Sequence, residues 1–571
     1  MRHEKLSPGL ISALVGFARY GAPGLSVRAR SLGLKNIENQ KEPMAIVFLR
    51  TDPDESFENL PSVRVNQKTG EIRTAAVPLS AIDELSERPA VRRITMSRNL
   101  RPRLDMALQR IRIPQFRTSS GANGRDVVVG VVDSGMDPNH PDFHDRINRI
   151  WDQTIPGPGV PEGGYGLELI GAAITASRDT VGHGTHVTGI AAGADATFTG
   201  VAPSATLVGV KTDFNDAHIA DGVRYVFRVA DQLKVPAVVN LSLGGHMDPH
   251  DGTDDLSAVI DAVSGAGHIV CCAAGNEGED NIHAQIKIAA GQVARIRFQV
   301  PAGAPLVFLN GWYSGADEIE VAVQPPQGTQ TPFQGSVAAG NPHNTFASGA
   351  ASINLTTPGP NPLNGDHQIY IELSANGGQL PGGAWTLLLR GRAVTNGVVD
   401  FWTSDAEAGS SILFHSDISG GMKIGSPGSS SKAITVGSFT NRIKWPDATG
   451  LPEEVGFPDD TLSPFSSPGP LRNKTNKPDV TAPGAMIISA LSADSHVDAA
   501  FKASASFRVD AGTSMATPVI AGMVALLLQG DPTLTPDRVK ERLRQASTIP
   551  NQPPGTFDVH WGFGLLDASN L

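Results

Sequence analysis

Three patterns of hydrophobic and polar positions divide the chain. From residue 126, Asp126-Val-Val-Val-Gly-Val-Val132 is an almost unbroken β-branched run, as expected of a strand buried on both faces of a parallel sheet. Comparable runs recur at 205–210, 237–241, 268–274 and 433–436, with helical spacing between them at 219–232 and 256–264. Two more helices are predicted at 514–529 and 535–545, the second opened by Thr535-Pro536-Asp537. Strands alternating with helices predict a right-handed, doubly wound α/β domain. Between 285 and 415 the alternation stops. Segments with a period of two appear at 295–300, 306–312, 318–323, 368–373, 385–390 and 398–402, separated by Gly/Pro/Asn-rich loops. Short strands without intervening helices predict an inserted antiparallel sandwich or jelly roll. Before residue 110, strands are predicted at 44–49, 62–65, 71–77 and 91–96, with a turn at 68–70, a helix at 81–87 and an Arg/Leu-rich linker at 98–112. The chain therefore reads as an N-terminal α+β unit (1–110), an α/β domain in two pieces (111–282 and 423–571) and an all-β insertion (283–422).

Composition narrows the function classes. With 571 residues, 40% of them hydrophobic and 18% charged, the chain supports a sizeable core and does not read as disordered. A formal charge of −11, with no long basic stripe, argues against nucleic acid as a partner. The only cysteines, Cys271 and Cys272, are adjacent. Neighbouring Cα atoms lie about 3.8 Å apart, shorter than ordinary disulfides span, so a stapled scaffold is excluded. No apolar run is read as reaching the roughly 18 residues of a membrane span. Leu10, Ile11, Leu14, Val15 and Phe17 fall at helical spacing before Arg19, which reads as an amphipathic helix rather than a signal peptide. A cytoplasmic location is expected on that basis, with secretion as the alternative.

Candidate chemistry lies in four short segments. Val131-Val-Asp133-Ser-Gly puts a carboxylate at the C-terminal end of a buried strand, the edge where open parallel sheets place their sites. Alone, such an Asp is usually a turn or cap residue. Gly182-His183-Gly-Thr-His186 opens a helix with two histidines; it lacks the Glu of a zinc-protease pattern. Gly512-Thr-Ser514-Met-Ala puts a serine at the tip of a helix that is apolar nearly all round, where serines are commonly caps. Together they say more. A serine hydroxyl needs an imidazole to take its proton, and the imidazole needs a carboxylate to fix its tautomer and stabilise its charge. Asp133, His183 and Ser514 follow in one of the known triad orders. Ala273-Ala274-Gly275-Asn276 ends another buried run, and the Asn276 amide could donate to a developing oxyanion beside the Ser514 backbone N–H.

These motifs, in this order, resemble the subtilisin family (subtilases) of serine endopeptidases. His140-Pro-Asp, Gly200-Val-Ala-Pro, Asn240-Leu-Ser-Leu-Gly-Gly245, Lys477-Pro-Asp-Val-Thr-Ala-Pro-Gly484 and Gly562-Phe-Gly-Leu-Leu-Asp567 extend the likeness over about 113–282 and 423–571. The resemblance implies a subtilisin-like fold and polypeptide substrates, with Asp133, His183 and Ser514 catalytic and Asn276 and Ser514 forming the oxyanion hole. It implies that Ser242, Leu243 and Gly244 form one rim of the cleft and Ala273, Ala274 and Gly275 the other wall of the P1 pocket. The N-terminal unit resembles the family's ferredoxin-like inhibitory propeptide. Its tail, 99–108, is then expected to run through the cleft, with self-cleavage within 98–106; a permanently attached domain is the alternative. No cofactor is required on this reading. Asp142 matches a calcium-ligand position, but the stretch from Gly193 to Gly200 is short where many members carry a calcium loop. The insertion resembles jelly-roll domains of some bacterial subtilases. Two other functions compete: an α/β-hydrolase esterase, disfavoured because 503–510 before Ser514 reads as a poor strand and only His560 follows it, and a latent subtilase that binds through its β insertion.

Overall fold

Valine-rich runs set the centre of the molecule. In the computed structural model Val128–Asp133, Ala237–Leu241 and Ile434–Thr440 are buried at every residue, because helices cover both faces of their sheet. The structure describes residues 43–52, 62–69, 72–96, 105–304, 306–336, 342–376, 379–403 and 412–571, with isolated positions before 58. The central parallel strands run in the order Ile147–Asp152, Thr206–Lys211, Val128–Asp133, Ala237–Leu241, His268–Ala273, Ile434–Thr440 and Val480–Pro483. Alternate side chains leave each strand on opposite faces. Val129, Val131, Val238 and Cys271 join one core with the helices His183–Ala192 and Thr513–Gly530. Val128, Val132, Val239 and Cys272 join the other, beneath Asp216–Leu233 and Asp255–Val263. The two cysteines thus point to opposite faces and are both fully buried and unbridged, so neither faces the cleft.

The helix Thr513–Gly530 corrects one sequence expectation. Its 18 residues are long enough and on average apolar enough for a membrane span, yet it is buried in this molecule as the core helix of the sheet. Thr513, Ser514, Thr517 and Gln529 keep it from being an unbroken apolar run.

Residues 283–414 form two antiparallel sheets facing one apolar core. The six-stranded sheet orders His283–Lys287, Val398–Thr403, Leu306–Tyr313, His367–Ala375, Ala351–Thr356 and His343–Ser348. The four-stranded one orders Glu318–Gln324, Gly383–Ala393, Val293–Val300 and Leu413–Phe414. Trp385, Phe298, Phe401 and Phe414 lie between them, fully buried. His343–Ser348 and Ala351–Thr356 were missed in the sequence because their Ser, Thr and Asn content reads as loop.

The chain divides into two compact units, Met1–Pro102 and Arg103–Leu571, so the insertion belongs to the same unit as the α/β sheet. In the first unit Met44–Thr51 pairs antiparallel with both Ile72–Pro78 and Val91–Met96, and Ala81–Glu87 packs on that sheet through Ile82 and Leu85. Arg64–Thr69 is strand throughout, with a register shift between Val65 and Lys68, where a turn at 68–70 was expected. Most of the predicted helix around Leu10–Phe17 lies outside the described residues. The boundary and linker near 110 need correction. Asp105–Arg110 is helical, and Ala107 and Leu108 are buried in the core of the second unit. Residues 105–108 therefore do not run through the cleft as an extended strand; residues 97–104 are not described.

Candidate active site

Two backbone approaches bring Asp133 and His183 together. Asp133 ends its strand fully buried, and the helix carrying His183 abuts it so closely that a Cβ on Gly184 would lie 2.1 Å from the Gly135 carbonyl oxygen and 3.0 Å from Asp133 Cβ. Glycine at 184 is what permits that contact. Gly182 supplies no side chain to cap the helix; Asp179 does so instead. Its Oδ1 accepts from Gly182 N (2.8 Å) and Ser134 Oγ (2.9 Å), and its Oδ2 from Thr185 N (2.9 Å) and Oγ1 (2.6 Å). A carboxylate on first-turn amides also complements the helix dipole. His183 Nδ1 then lies 2.8 Å from Asp133 Oδ1, which also accepts from Ser134 N at 2.7 Å. Burial pulls the His183 pKa down, but the charge and hydrogen bond of Asp133 outweigh it and leave the imidazole above the ordinary histidine value. His186 faces away. It is fully buried against the Ile487 and Arg508 carbonyls (3.2 and 3.3 Å) and held well below the ordinary value by burial.

Ser514 is the second residue of the central helix, and its surroundings follow from Pro518. Proline has no N–H to give the carbonyl four residues back, that of Ser514. Ser242 Oγ fills the gap, donating to Ser514 O at 2.8 Å, while Asn240 Nδ2 donates to Ser242 Oγ at 2.9 Å. The rim is thereby fixed to the tip of the helix. Ser514 Oγ donates to the Ser242 carbonyl at 3.2 Å, so in this structure the hydroxyl rests on the rim rather than on His183.

Asn276 lies across the same helix tip. Its Oδ1 accepts from Thr513 N (2.8 Å) and Thr513 Oγ1 (3.0 Å), which leaves the amide nitrogen as the end able to donate outward. Neither Thr513 nor Asp179 was singled out in the sequence, where each reads as an ordinary helix-start residue. Ser242, Leu243 and Gly244 face Ala273, Ala274 and Gly275 across a cavity of about 210 Å³ that reaches Asn276 and Ser514. Gly244, Gly245, Gly275 and Gly425 leave parts of its wall to backbone. His246 and Glu277 also line it, 3.5 Å apart. Burial raises the Glu277 pKa, but hydrogen bonds and charge from His246, with Ser467 and the Asn276 N–H, bring it below the usual value. A second cavity, of about 440 Å³, lies beyond Leu243 and is walled partly by Trp312 and Leu363 of the insertion.

Asp142, the calcium-ligand position of the resemblance, is buried. Burial first, then the Asp195 charge, pushes its carboxyl up to about 7, and the turn from 193 to 200 is closed by Gly200 N donating to Gly193 O at 2.9 Å. Among the described residues no three His, Cys, Asp or Glu side chains group together.

The profile of the subtilase family matches residues 124–400 and 392–564. The chain belongs to the subtilase family. It is thus a serine-type endopeptidase, with polypeptides as substrates. The serine protease AprX of Bacillus subtilis is 25% identical over 516 residues, covering 87% of this chain and 78% of that protein. Subtilisin J of Geobacillus stearothermophilus is 27% identical over 291 residues, 49% of this subtilase and 69% of that protein. The fold is similar to the Clostridium perfringens CspB protease, with a TM-score of 0.67 and 23% identity over 81% of this chain and 96% of that one.

Proposed function

We propose that this subtilase hydrolyses peptide bonds through Asp133, His183 and Ser514. The observation that carries the reading is the 2.8 Å contact of Asp133 with His183 Nδ1, beside a serine fixed at the tip of the buried central helix. In this mechanism the hydroxyl turns from the Ser242 carbonyl to His183 Nε2, a move between staggered rotamers. Ser514 Oγ attacks the scissile carbonyl as His183 takes its proton. Asn276 Nδ2 and the Ser514 N–H receive the oxyanion; a first-turn amide has no carbonyl partner inside its own helix. His183 then protonates the leaving amine, and water repeats the cycle on the acyl-enzyme. Asp133 holds the imidazole and stabilises its charge. Ser242–Gly244 offers its edge to the substrate backbone as an added strand, and the cavity between the rim and Ala273–Gly275 receives the P1 side chain.

The N-terminal unit acts in this reading as a propeptide, inhibiting the enzyme until self-cleavage. Because Asp105–Arg110 is helical and anchored in the core, the scissile bond falls before Asp105. The resting contact of Ser514 Oγ with Ser242 O favours one alternative, a latent subtilase that binds polypeptides without turnover. A fluorophosphonate probe separates the two. Labelling of wild type and not of Ser514→Ala supports the enzyme, and no labelling of either, before or after removal of the N-terminal unit, sinks it. Ser514→Ala is expected to lower kcat on the order of 10⁶-fold.

A further inference from the structure

We propose that Lys423 is a positioning residue for the oxyanion donor Asn276. The inference rests on the acyl-transfer reading above. Lys423 is only 2% exposed, which is unusual for a lysine because removing an ammonium from water is costly without compensation. Its ammonium hydrogen-bonds to backbone carbonyls. The ammonium donates to the carbonyls of Glu277 (3.0 Å), Gly278 (3.0 Å) and Asp280 (2.6 Å), so that three donors meet three acceptors. Burial lowers its pKa, and the nearby Asp280 and Glu277 charges pull the other way.

All three carbonyls belong to the turn that follows Asn276 directly. The other side of that turn is held through its amides. Glu277 N donates to Ser467 Oγ (3.0 Å) and Gly278 N to Phe465 O (2.8 Å), while Gly275 O accepts from Ser467 N (3.1 Å). A Cβ at Gly278 would lie 2.4 Å from Pro464 O, so the turn has no room to shift toward that segment. Lys423 closes the opposite side, and its own backbone is tied down by Lys423 N donating to Pro468 O at 2.9 Å. The turn is thus gripped between two rigid supports.

The need for a grip comes from the chain itself. Lys423 is 143 positions from Asp280, and the whole β insertion hangs between them. Asn276 is exposed and is fixed at its amide oxygen by Thr513, while its backbone continues straight into the turn where the insertion departs. Oxyanion stabilisation depends on donor placement to a fraction of an ångström. Lys423 joins the point of departure to the point of return, so motion of the insertion is cut off before it reaches Asn276.

Lys423→Met in the full chain tests this, with peptide hydrolysis measured alongside fluorophosphonate labelling and thermal melting. The expected result is a folded enzyme with kcat lowered about tenfold and KM within twofold, since only a transition-state contact is disturbed. In an Asn276→Ala background the same change is expected to alter kcat less than twofold, because the donor it positions is gone. An equal loss of kcat in both backgrounds, or no loss in either, overturns the proposal. Lys423→Gln, whose amide reaches at most two of the three carbonyls, keeps the test open if the methionine variant does not fold; it is expected to give a smaller loss with the same dependence on Asn276. A wild-type protein that neither cleaves peptides nor takes the fluorophosphonate overturns the acyl-transfer reading, and this inference with it.

Discussion

At the scale of single residues, the proposed triad makes the rate depend on the charge state of His183. Asp133 holds its pKa above the ordinary value, and only the neutral imidazole can take the serine proton. Activity is therefore expected to rise with pH through a midpoint above about 6.5, read from kcat/KM profiles. Asp133→Asn removes the stabilising charge and the correct tautomer; kcat should fall on the order of 10⁴-fold and the midpoint should drop. Asn276→Ala is expected to cost about 10²–10³ in kcat with KM little changed. Asp142 gives a stability prediction of opposite character. Its folded pKa, about 7, lies above the ordinary value of 3.8, so between those values the folded state holds a proton that the unfolded state has released. Stability is lost as pH rises through that window and stays lost above it. Asp142→Asn keeps the neutral form facing Asp195 and Arg146, and is expected to raise Tm at pH 8, with the gain shrinking toward pH 4.

At the scale of elements, the helix Thr513–Gly530 and the rim Ser242–Gly244 act as one piece. Pro518 leaves the Ser514 carbonyl in need of a donor, and Ser242 Oγ provides it. Ser242→Ala removes that donor from a buried acceptor and is expected to destabilise by about 1–3 kcal/mol, measured by urea unfolding. The strand His268–Ala273 carries a second expectation. Burial raises both thiols, that of Cys272 to about 12, and they lie in opposite cores. Iodoacetamide should label neither in the native protein and both after denaturation, with mass spectrometry as the readout. The pattern of apolar residues made these elements legible. Period-two alternation of the sandwich strands and unbroken runs of the parallel strands are local properties of the sequence. His343–Ser348 and Ala351–Thr356 were not legible, since their partners across the sheet, rather than their own composition, make them strands.

At the scale of the whole molecule, the helix Asp105–Arg110 limits where the proposed self-cleavage would fall. Ala107 and Leu108 are in the core, and Arg110 and Arg112 pair with Asp460 and Asp567 (both 3.0 Å). The intact mass of incubated wild type is expected to show a mature N-terminus at or before Asp105, and that of Ser514→Ala to remain full length. Identical masses after long incubation exclude self-processing.

The sequence by itself determined the layers and the candidate chemistry. Valine-rich runs can be satisfied only between two helical layers; Asp133 and Asn276 stand at run ends where the backbone leaves the sheet, and His183 and Ser514 at helix starts. Tertiary structure alone decided what holds those groups. The Asp179 cap, the Ser242 donor beneath Pro518, the Thr513 anchor of Asn276 and the Lys423 clamp each depend on residues far apart in sequence. Their residue types are common at surfaces and helix starts. A hydrogen bond between distant segments is specified by three-dimensional proximity, and no local pattern carries that information.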